Sequence, residues 1–541
     1  MMDYPLTLTH LFRHGVRYFA KQEIVTQRGA GEPHRYCFED FGERTERLAA
    51  GLDRLGVKPG DRVATFAFNT YQHLECYFAI PGKGAVLHTL NLRLFPDDLA
   101  FVINDAEDQL IFCDRSVLPL LQKVGDRIPT VRRVVVMGEG EGELDAAGLP
   151  PLLDYEQLLA DAQAGGAWPE LDERSAAAMS YTSGTTDRPK GVVYSHRSCY
   201  LHSTATSMAG WIGLSFLDSL LPVVPMFHVN AWGLAHAAVG FGTKLVLPGR
   251  YLDPVHLLDQ LQAEKVTIAA GVPTIWGALL SHLDQHPTPL PHLDRIICGG
   301  SAAPPALIAG FDRHQLRIVH AWGMTETSPI GAVNVTKSPV GEPGSDQTLA
   351  QRAKQGIPSL GVDLRIANLE SGEECPADGR TAGEIQVRGP WVAAAYYHDP
   401  EDLDRRFTED GWLRTGDVAT IDPEGYVQIV DRTKDLVKSG GEWISSVSLE
   451  GELMAHPKVQ EAAVVGFPHS RWLERPVGFV VPRPEHRDDL TKEELLEFLA
   501  PRVAKFWLPD EIVFLEEVPK TSVGKFDKKV LRHQYSHLDL G

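Results

Sequence analysis

Residues 244–273 read KLVLPGRYLDPVHLLDQLQAEKVTIAAGVP. The apolar runs at 244–249 and 266–273 are short and end in turn residues, which is typical of buried strands. The stretch 253–264 between them has the spacing of an amphipathic helix. A strand, a helix and a second strand in this order predict an α/β unit with parallel strands. Ligands of such units tend to bind at the carboxyl ends of the strands.

The same alternation runs through the first three hundred residues. We predict further buried strands in GDRVATFAF (60–68), GAVLHTLN (84–91) and RIICGG (295–300), and a helix at 41–55. From about residue 357 the strands become shorter and the turns tighter, which indicates a small β-rich subdomain.

The change in strand length and turn spacing suggests a division into domains. We predict an N-terminal domain at 1–430 that includes the β-rich subdomain at about 357–430, a polar hinge linker at 431–436, and a C-terminal α+β domain at 437–541. In the last domain, T-K-E-E from Thr491 is a capping box and predicts a helix start. The predicted fold class is therefore α/β and multidomain, with parallel-sheet subdomains in a large N-terminal domain.

Composition excludes several classes of function. The chain has 541 residues and a formal net charge of −20, so no global basic field would attract nucleic acid. The six cysteines are scattered and form no C-x-x-C pair, which indicates reduced thiols and a cytoplasmic location.

A membrane span is also not expected. No Asp, Glu, Lys or Arg lies between Asp218 and Lys244, a length that could cross a bilayer. Pro222 and Pro225 interrupt this stretch, so we interpret it as protein interior. The N-terminus lacks the apolar core of a secretory signal. It instead predicts an amphipathic helix, with an apolar stripe of Leu8, Leu11, Phe12, Val16 and Phe19.

A loop rich in hydroxyl groups follows a strand of small residues. It reads YTSGTTDRPKGVVYSH, residues 181–196. Its hydroxyls and backbone N–H groups suit phosphate oxygens, and Lys190 adds a positive charge. It is not a Walker A loop, because Lys190 is followed by Gly191 and Val192. From the residues alone, a phosphate-binding loop and an ordinary polar surface loop both remain open.

This loop resembles the T-S-G-T-T-G-x-P-K-G signature of the adenylate-forming enzymes. That family includes acyl-CoA synthetases, luciferases and the adenylation domains of peptide synthetases. Asp187 stands where the family has glycine, which places a carboxylate beside the phosphates and restricts the backbone. The resemblance implies an ATP-binding loop that contains Thr182, Ser183, Gly184, Thr185, Thr186 and Lys190.

A second motif, HAWGMTETSP at 320–329, is similar to the family pattern Y-G-x-T-E. The resemblance implies that Trp322 stacks on adenine and that Thr182 and Glu326 contact Mg²⁺, which prefers carboxylate and phosphate oxygens. Taken alone, the motif is better explained by a core tryptophan and a solvated glutamate; beside the first signature we favour ligand contacts. Further nucleotide contacts implied by the likeness are Gly300, Ser301, Gly323 and Thr325.

The longest match, DGWLRTGDVATIDPEGYVQIVDRTKDLVKSGGEWIS at 410–445, resembles the fatty acyl-CoA synthetase signature. Without the resemblance, it would be an ordinary β-meander. The likeness implies that Asp417 binds the ribose hydroxyls and that Arg432 contacts ribose or phosphate. It also implies that the C-terminal domain is a mobile lid that turns about Lys434. The implied coenzyme A loop contains Lys438, Gly440, Gly441, Glu442 and Trp443, with Lys438 also a nucleotide contact.

The last motif, VPKTSVGKFDKKVLR at 518–532, resembles the C-terminal G-K of the family. The resemblance implies that Lys525 reaches the substrate carboxylate and the α-phosphate. Chemistry needs such a group, because attack of a carboxylate on phosphorus brings anions together. On spacing alone, Lys525 is one lysine among several, as Lys528 and Lys529 are.

The sequence defines the acyl site less clearly than it defines the nucleotide site. The segments 225–242 and 298–304 resemble two walls of the family's acyl tunnel. The likeness implies that His228 closes the carboxylate end, Trp232 gates the tunnel and Gly300 lines it. Small residues in the first segment would leave room for an alkyl chain; a buried core helix explains the same residues.

Together, the resemblance implies an AMP-forming fatty acid:CoA ligase. ATP and Mg²⁺ would convert a fatty acid to acyl-AMP, with Lys525, Glu326 and Thr182 as catalytic residues, and coenzyme A would then take the acyl group. The alternatives are an aryl-CoA ligase of the 4-coumarate type and, in another class, a non-catalytic acyl- or nucleotide-binding protein. The likeness is also compatible with a homodimer.

Overall fold

A computed structural model describes residues 1–29, 31–138, 146–166, 168–182, 188–337, 344–399, 406–440, 442–520, 526–538 and 540. The chain divides into two compact units. The first contains Met1–Thr182, Pro189–Asp363 and Arg388–Leu413, and the second contains Leu364–Val387 and Arg414–Gly541. The second unit thus groups strands of the predicted β-rich subdomain with the C-terminal residues. The domain boundaries drawn from the sequence stay a prediction.

A nine-stranded sheet forms one half of the first unit. In spatial order its strands are β16 (Ile357–Pro358), β15 (Ile330–Val333), β14 (Arg317–Gly323), β13 (Arg295–Cys298), β12 (Ile268–Gly271), β10 (Ser219–Pro222), β11 (Lys244–Leu247), β1 (Glu23–Thr26) and β2 (His34–Cys37). The pairings from β14 to β1 are parallel, which confirms the predicted α/β class. The two strands of the 244–273 unit lie on either side of β10 instead of pairing directly.

A seven-stranded sheet, also largely parallel, forms the other half of this unit. Its strands in spatial order are β7 (Leu152–Asp154), β6 (Arg133–Met137), β5 (Leu110–Asp114), β3 (Arg62–Phe66), β4 (Val86–Thr89), β8 (Ala176–Tyr181) and β9 (Gly191–Ser195). Only β8 and β9 pair in antiparallel fashion. The hairpin that they form carries the hydroxyl-rich loop between its strands, at the carboxyl end of β8.

Helices connect and cover these strands. Those of the first unit are α1 (Leu8–Tyr18), α2 (Phe38–Arg54), α3 (Tyr71–Gly82), α4 (Pro96–Asp105), α5 (Leu118–Gln122), α6 (Tyr155–Ala160), α7 (His196–Thr206), α8 (Leu234–Phe241), α9 (Pro254–Ala263), α10 (Pro273–Gln285), α11 (Pro305–Arg313) and α12 (Asp346–Ala353). Side-chain caps fix several starts: Asp253 accepts a hydrogen bond from the His256 N–H ahead of α9, beside a proline at the first helical position.

The predicted N-terminal helix is α1, and its apolar stripe is buried against α8. Leu8, Leu11 and Phe12 are buried. A Cβ atom on Gly15 would lie 2.1 Å from the Val239 carbonyl oxygen, and one on Gly240 would lie 2.9 Å from Leu11. The two helices therefore approach so closely that only glycine fits at both positions.

The second unit contains two antiparallel-rich sheets. The smaller has the order β17 (Asp363–Ala367), β18 (Gly383–Arg388), β19 (Leu413–Ile421) and β20 (Val427–Arg432). The larger has the order β22 (Glu442–Ile444), β21 (Val437–Ser439), β24 (Leu473–Pro482) and β23 (Val459–His469), with β25 (Glu511–Phe514) parallel to β24. Its helices are α13 (Ser446–Met454), α14 (Lys492–Leu499) and α15 (Lys528–Gln534).

The predicted helix start at Thr491 is confirmed. The Thr491 hydroxyl accepts a hydrogen bond from the Glu494 N–H at 3.2 Å, as the first half of a capping box requires. The Glu494 carboxylate accepts a hydrogen bond from Lys458 Nζ at 3.0 Å. The flanking Leu490 and Leu495 are both buried in one apolar cluster.

Among the described residues, no helix combines the length and the apolar character that a membrane crossing needs. The six cysteines predicted to be reduced all carry free thiols.

Among the almost completely buried histidines of the first unit, four have a strongly lowered pKa, so the protein should be less stable in acid. His73, His196, His202 and His236 are at most 2 % exposed. Desolvation lowers the pKa to about 3 for His202 and to about 4 for the other three. Unfolding would restore the ordinary pKa near 6.5, so these groups bind fewer protons when folded, and their contribution to stability is complete only above pH 6.5.

We therefore expect the free energy of unfolding to fall as the pH drops from about 6.5 towards 4. Each fully buried histidine contributes a slope of up to about 1.4 kcal/mol per pH unit in this window. Denaturant titrations at pH 7.5, 6.5 and 5.5, followed by tryptophan fluorescence, measure the slope. His73→Asn, which cannot titrate, should make it shallower. A midpoint that does not change between pH 7.5 and 5.5 would contradict the expectation.

Candidate active site

The base of the hydroxyl-rich loop is closed by two hydrogen bonds. Thr182 follows β8 and Lys190 precedes β9. The Thr182 N–H donates to the Lys190 carbonyl oxygen at 2.9 Å, and the Lys190 N–H donates to Thr182 Oγ1 at 3.0 Å. The hairpin of β8 and β9 therefore fixes both ends of the loop, whatever its tip binds.

A polar network links this loop to the 320–329 motif. Lys190 Nζ lies 2.9 Å from Asp399 Oδ2 and 5.2 Å from the centre of the Tyr396 ring. The Tyr396 hydroxyl donates a hydrogen bond to Glu326 Oε1. The sequence did not point to Tyr396 or Asp399, because neither belongs to a motif. The structure thus brings Lys190 and Glu326 together through a residue that sequence reasoning missed.

The 320–329 motif is held in place by the segment that contains Tyr396. The Ala393 N–H donates to the Glu326 carbonyl oxygen at 2.7 Å, and the Tyr194 hydroxyl of β9 donates to the Thr325 carbonyl oxygen at 2.8 Å. Glu326 is only 5 % exposed. A solvated glutamate, the simpler reading of this residue, is therefore excluded.

Trp322 and Gly323 lie at the end of β14 in tight contacts. The Trp322 ring covers Gly331 on β15, where a Cβ atom would lie 2.4 Å from it. A Cβ atom on Gly323 would lie 1.7 Å from the Pro329 carbonyl oxygen, so no larger residue fits. Trp322 is 7 % exposed, and its stacking on adenine stays a prediction.

The segment before α8 has an unusual backbone. Val229, Asn230, Ala231 and Trp232 have φ angles of 47°, 52°, 49° and 58°, which form a left-handed turn, and Gly233 ends it with φ 69°. A left-handed conformation costs about 1–2 kcal/mol per non-glycine residue. The right-handed helix begins only at Leu234, so Trp232, predicted to gate the acyl tunnel, lies on a strained turn and not on a helix.

Neighbouring residues hold the chain that leads into this turn and pack against its tryptophan. Asn69 Nδ2 donates to the Pro222 and Val224 carbonyl oxygens at 2.8 and 3.0 Å, and Asn69 Oδ1 accepts from the Met226 N–H at 2.6 Å. The Trp232 ring lies 3.2 Å from the position that a Cβ atom on Gly299 would take. The segment is therefore anchored on one side and packed against the glycines of 298–304 on the other.

Of the other residues predicted for the acyl site, His228 is half-buried, whereas Gly300, with φ 83°, is exposed after β13. Ser301, predicted as a nucleotide contact, is also exposed there. The small residues of α8 have a structural explanation. A Cβ atom on Gly233 would lie 2.6 Å from His202 Nδ1, and Leu11 fills the space beside Gly240. At these two positions the core-helix alternative is right, and room for an alkyl chain is not the reason for glycine.

In the second unit, Asp417 and Arg432 face each other across β19 and β20. Arg432 Nε lies 3.2 Å from Asp417 Oδ1, and the two side chains are 40 % and 10 % exposed. Thr415 Oγ1 accepts from the Asp417 N–H at 3.1 Å. The pair thus presents carboxylate and guanidinium side by side, as recognition of a ribose phosphate would require.

The residues predicted for the hinge and for the coenzyme A loop lie in neighbouring segments of the second unit. Burial lowers the pKa of Lys434, and its carbonyl oxygen accepts a hydrogen bond from Arg532 at 2.9 Å. Lys438 pairs with Trp443 across β21 and β22, with its Nζ 4.9 Å from the ring centre and 3.3 Å from Glu370.

The backbone of this loop turns at Gly440, which has φ 61° and whose N–H donates to the Trp472 carbonyl oxygen at 2.8 Å. Glu442 is exposed and Trp443 is 37 % exposed. Several predicted site residues lie outside the described residues, so their contacts stay predictions: Ser183, Gly184, Thr185, Thr186, Gly441 and Lys525.

A metal ion at Glu326 would need further coordinating groups, such as the phosphates of a bound substrate. In the described ranges, no group of three or more His, Cys, Asp or Glu side chains could hold a metal ion. Mg²⁺ commonly uses one or two carboxylates together with substrate phosphates. The buried Glu326 carboxylate and the Thr182 hydroxyl are hard oxygen donors of the kind that such a site needs.

Comparison with known proteins identifies the family of this chain over most of its length. Residues 12–397 match the family model of the AMP-binding enzymes, and residues 448–525 match that of the AMP-binding enzyme C-terminal domain. The anthranilate CoA ligase AuaEII, solved with anthranoyl-AMP, has a similar fold, with a TM-score of 0.86 and 24 % identity over 99 % of this chain and 98 % of that one.

Two curated relatives are similar over nearly their full length. The long-chain-fatty-acid–CoA ligase of Thermus thermophilus is 47 % identical over 538 residues, which are 99 % of this chain and 97 % of that protein. The medium-chain-fatty-acid–CoA ligase of Ectopseudomonas oleovorans is 42 % identical over 540 residues, with the same coverage. The chain therefore belongs to the AMP-binding enzymes, the adenylate-forming superfamily.

Proposed function

We propose that the protein is an AMP-forming fatty acid:CoA ligase. The observation that carries the proposal is the identity of 47 % and 42 % to a long-chain and a medium-chain fatty-acid–CoA ligase over 99 % of the chain. A carboxylate is a poor acyl donor because its oxygen leaves badly, and a mixed anhydride with AMP removes this difficulty. The reaction therefore has two steps, acyl-AMP formation and thioester formation with coenzyme A.

In the first step, the 182–190 loop holds the ATP phosphates, and Lys190 supplies a positive charge there. Glu326 and the Thr182 hydroxyl would hold Mg²⁺, which, when bound, offsets phosphate charge. Lys525 neutralises the charge that develops as the carboxylate attacks the α-phosphorus. Trp322, with Gly300, Ser301, Gly323 and Thr325, forms the adenine side of the site.

Other residues of the second unit bind the nucleotide and coenzyme A. Asp417 accepts hydrogen bonds from the ribose hydroxyls, and Arg432, already paired with Asp417, contacts ribose or phosphate. The lid turns about Lys434 between the two steps, a motion typical of a short polar hinge. The loop from Lys438 to Trp443 then meets the pantetheine arm.

The acyl chain enters beside the left-handed turn. His228 closes the carboxylate end, and Trp232, packed on Gly299, gates the tunnel. Strained backbone persists only where the surrounding structure enforces it, and it is concentrated at functional sites. We also propose a cytoplasmic homodimer; the free cysteines favour a reducing compartment, and the family likeness is the support for the dimer.

Carboxylate-dependent exchange of labelled pyrophosphate into ATP tests the first step, and thioester formation tests the second. Octanoate, palmitate and 4-coumarate are supplied separately with ATP and Mg²⁺. We expect exchange and thioester formation with at least one of the two fatty acids and much less with 4-coumarate. A preference for 4-coumarate would favour the aryl-CoA ligase. The absence of exchange with every acid would favour a binding protein.

A further inference from the structure

A buried pair of side chains near the phosphate loop has no role in the reaction as described. His88 lies on β4, and its Nδ1 is 2.8 Å from Asp108 Oδ2. The side chains are 1 % and 0 % exposed. Because a carboxylate only accepts hydrogen bonds, it holds the ring in the tautomer with hydrogen on Nδ1. In this tautomer Nε2 is an acceptor with a fixed direction.

This acceptor lies at a cavity, and no donor reaches it from the part of the chain that the structure describes. Among the described residues, no group forms a hydrogen bond with His88 Nε2, although the atom is buried. His88 lines a small cavity together with Asn91, Tyr181 and Thr182. The His88 and Tyr181 rings are 5.1 Å apart. Buried acceptors without a donor are rare, and a polar cavity of this kind is where an ordered water molecule binds.

The same cavity reaches the first residue of the phosphate loop. Thr182 Oγ1 already accepts a hydrogen bond from the Lys190 N–H, so the hydroxyl hydrogen is directed to another acceptor. A chain of contacts therefore runs from Asp108 through His88 and the cavity to Thr182, at the base of the loop.

We propose that His88 is a positioning residue for ATP: its Nε2 binds a water molecule in the cavity, and that water accepts the hydrogen of the Thr182 hydroxyl. Asp108 fixes the ring, and the water takes the hydroxyl hydrogen, so the remaining lone pair of Thr182 Oγ1 would face the metal ion that accompanies ATP. The inference rests on the proposed function, in which Thr182 contacts ATP and its metal ion.

Two substitutions at the same position separate this role from a purely structural one. The amide of asparagine ends near the position of Nδ1, so His88→Asn retains a donor to Asp108 and removes the group that faces the cavity. Glutamine is one methylene longer, so His88→Gln places an amide oxygen near the position of Nε2. We expect His88→Asn to raise the KM for ATP in pyrophosphate exchange by about 3- to 10-fold, the effect of one hydrogen bond. The KM for the fatty acid should not change, and His88→Gln should recover most of the loss.

The matched control is His73→Asn, which also removes a buried imidazole from the first unit. His73 is hydrogen-bonded to Thr65 and the Phe68 carbonyl oxygen, so its loss should lower stability without a change in the KM for ATP. A tolerated His88→Asn with an impaired His88→Gln would show that only the Asp108 contact matters, and would overturn the proposal. So would equal effects of both variants, or an equal rise in both KM values.

Titration of each variant with Mg²⁺ and ATP by calorimetry gives the same comparison without turnover. If the wild-type protein binds ATP but exchanges no pyrophosphate with any acid, the proposed ligase function fails. The ranking of His88→Asn and His88→Gln in ATP affinity still decides the inference in that case.

Discussion

Replacing Lys525 with alanine should lower carboxylate-dependent pyrophosphate exchange by about 10²–10³-fold, the usual effect of removing a group that stabilises charge in a transition state. The carboxylate and the α-phosphate are both anions, and charge accumulates on the phosphoryl oxygens as the carboxylate attacks. The second step is different, because a thiol then attacks a mixed anhydride and displaces AMP. We therefore expect thioester formation from supplied acyl-AMP to be largely retained.

The C-terminal helix offers a matched control for this substitution. Lys528 is unsuitable, because its Nζ lies 2.7 Å from Glu450 and 2.6 Å from Ser446 Oγ and holds α15 to α13. Lys529 is exposed on the same helix, so Lys529→Ala should leave both steps near the wild-type rate. Equal losses in the two steps for Lys525→Ala would contradict a role restricted to adenylation, and with it the proposed turning of the lid.

The sequence predicted the parts of the fold that depend on local pattern. Strand β11, helix α9 and strand β12 occur at the predicted segments, because period and cap residues act within a few positions of one another. The insertion of β10 between β11 and β12 could not be predicted in this way. Strand order is decided by contacts between residues far apart in sequence, and a single sequence contains no record of them.

In the candidate site, too, local motifs were predictable from the sequence, and contacts between distant segments were not. Lys190 and Glu326 were found because each lies in a motif, but Tyr396 joins them from a segment without one. The left-handed turn was missed for a different reason. Valine and tryptophan strongly disfavour a positive φ, so local propensity predicts the wrong backbone, and tertiary contacts such as the packing of Trp232 at Gly299 must offset the cost.

Tyr396 connects two motifs of the site that are far apart in the sequence. Its ring lies under the Lys190 ammonium and its hydroxyl donates to Glu326. A buried carboxylate needs hydrogen bonds or a cation to offset its lost hydration. One tyrosine therefore contacts both the cation that we propose for phosphate and the carboxylate that we propose for the metal ion.

Replacing Glu326 with glutamine should lower the exchange rate by about 10²-fold and raise the Mg²⁺ concentration needed for half-maximal activity. Glutamine has the same shape and still offers an oxygen to the Tyr396 hydroxyl, so the change removes charge and little else. An amide oxygen is a weaker ligand for a hard dication than a carboxylate. Exchange rates measured over a range of Mg²⁺ concentrations at saturating ATP give both values.

Tyr396→Phe separates the charge of Glu326 from its support. This substitution keeps the ring beneath Lys190 and removes the hydroxyl that donates to Glu326, so we expect a loss of about 3- to 10-fold and a smaller change in the Mg²⁺ requirement. Equal losses for the two variants would mean that Glu326 acts by holding Tyr396 and Lys190 in place. An unchanged Mg²⁺ requirement in Glu326→Gln would remove Glu326 from the metal site altogether, since a lost ligand charge must weaken the binding of a dication.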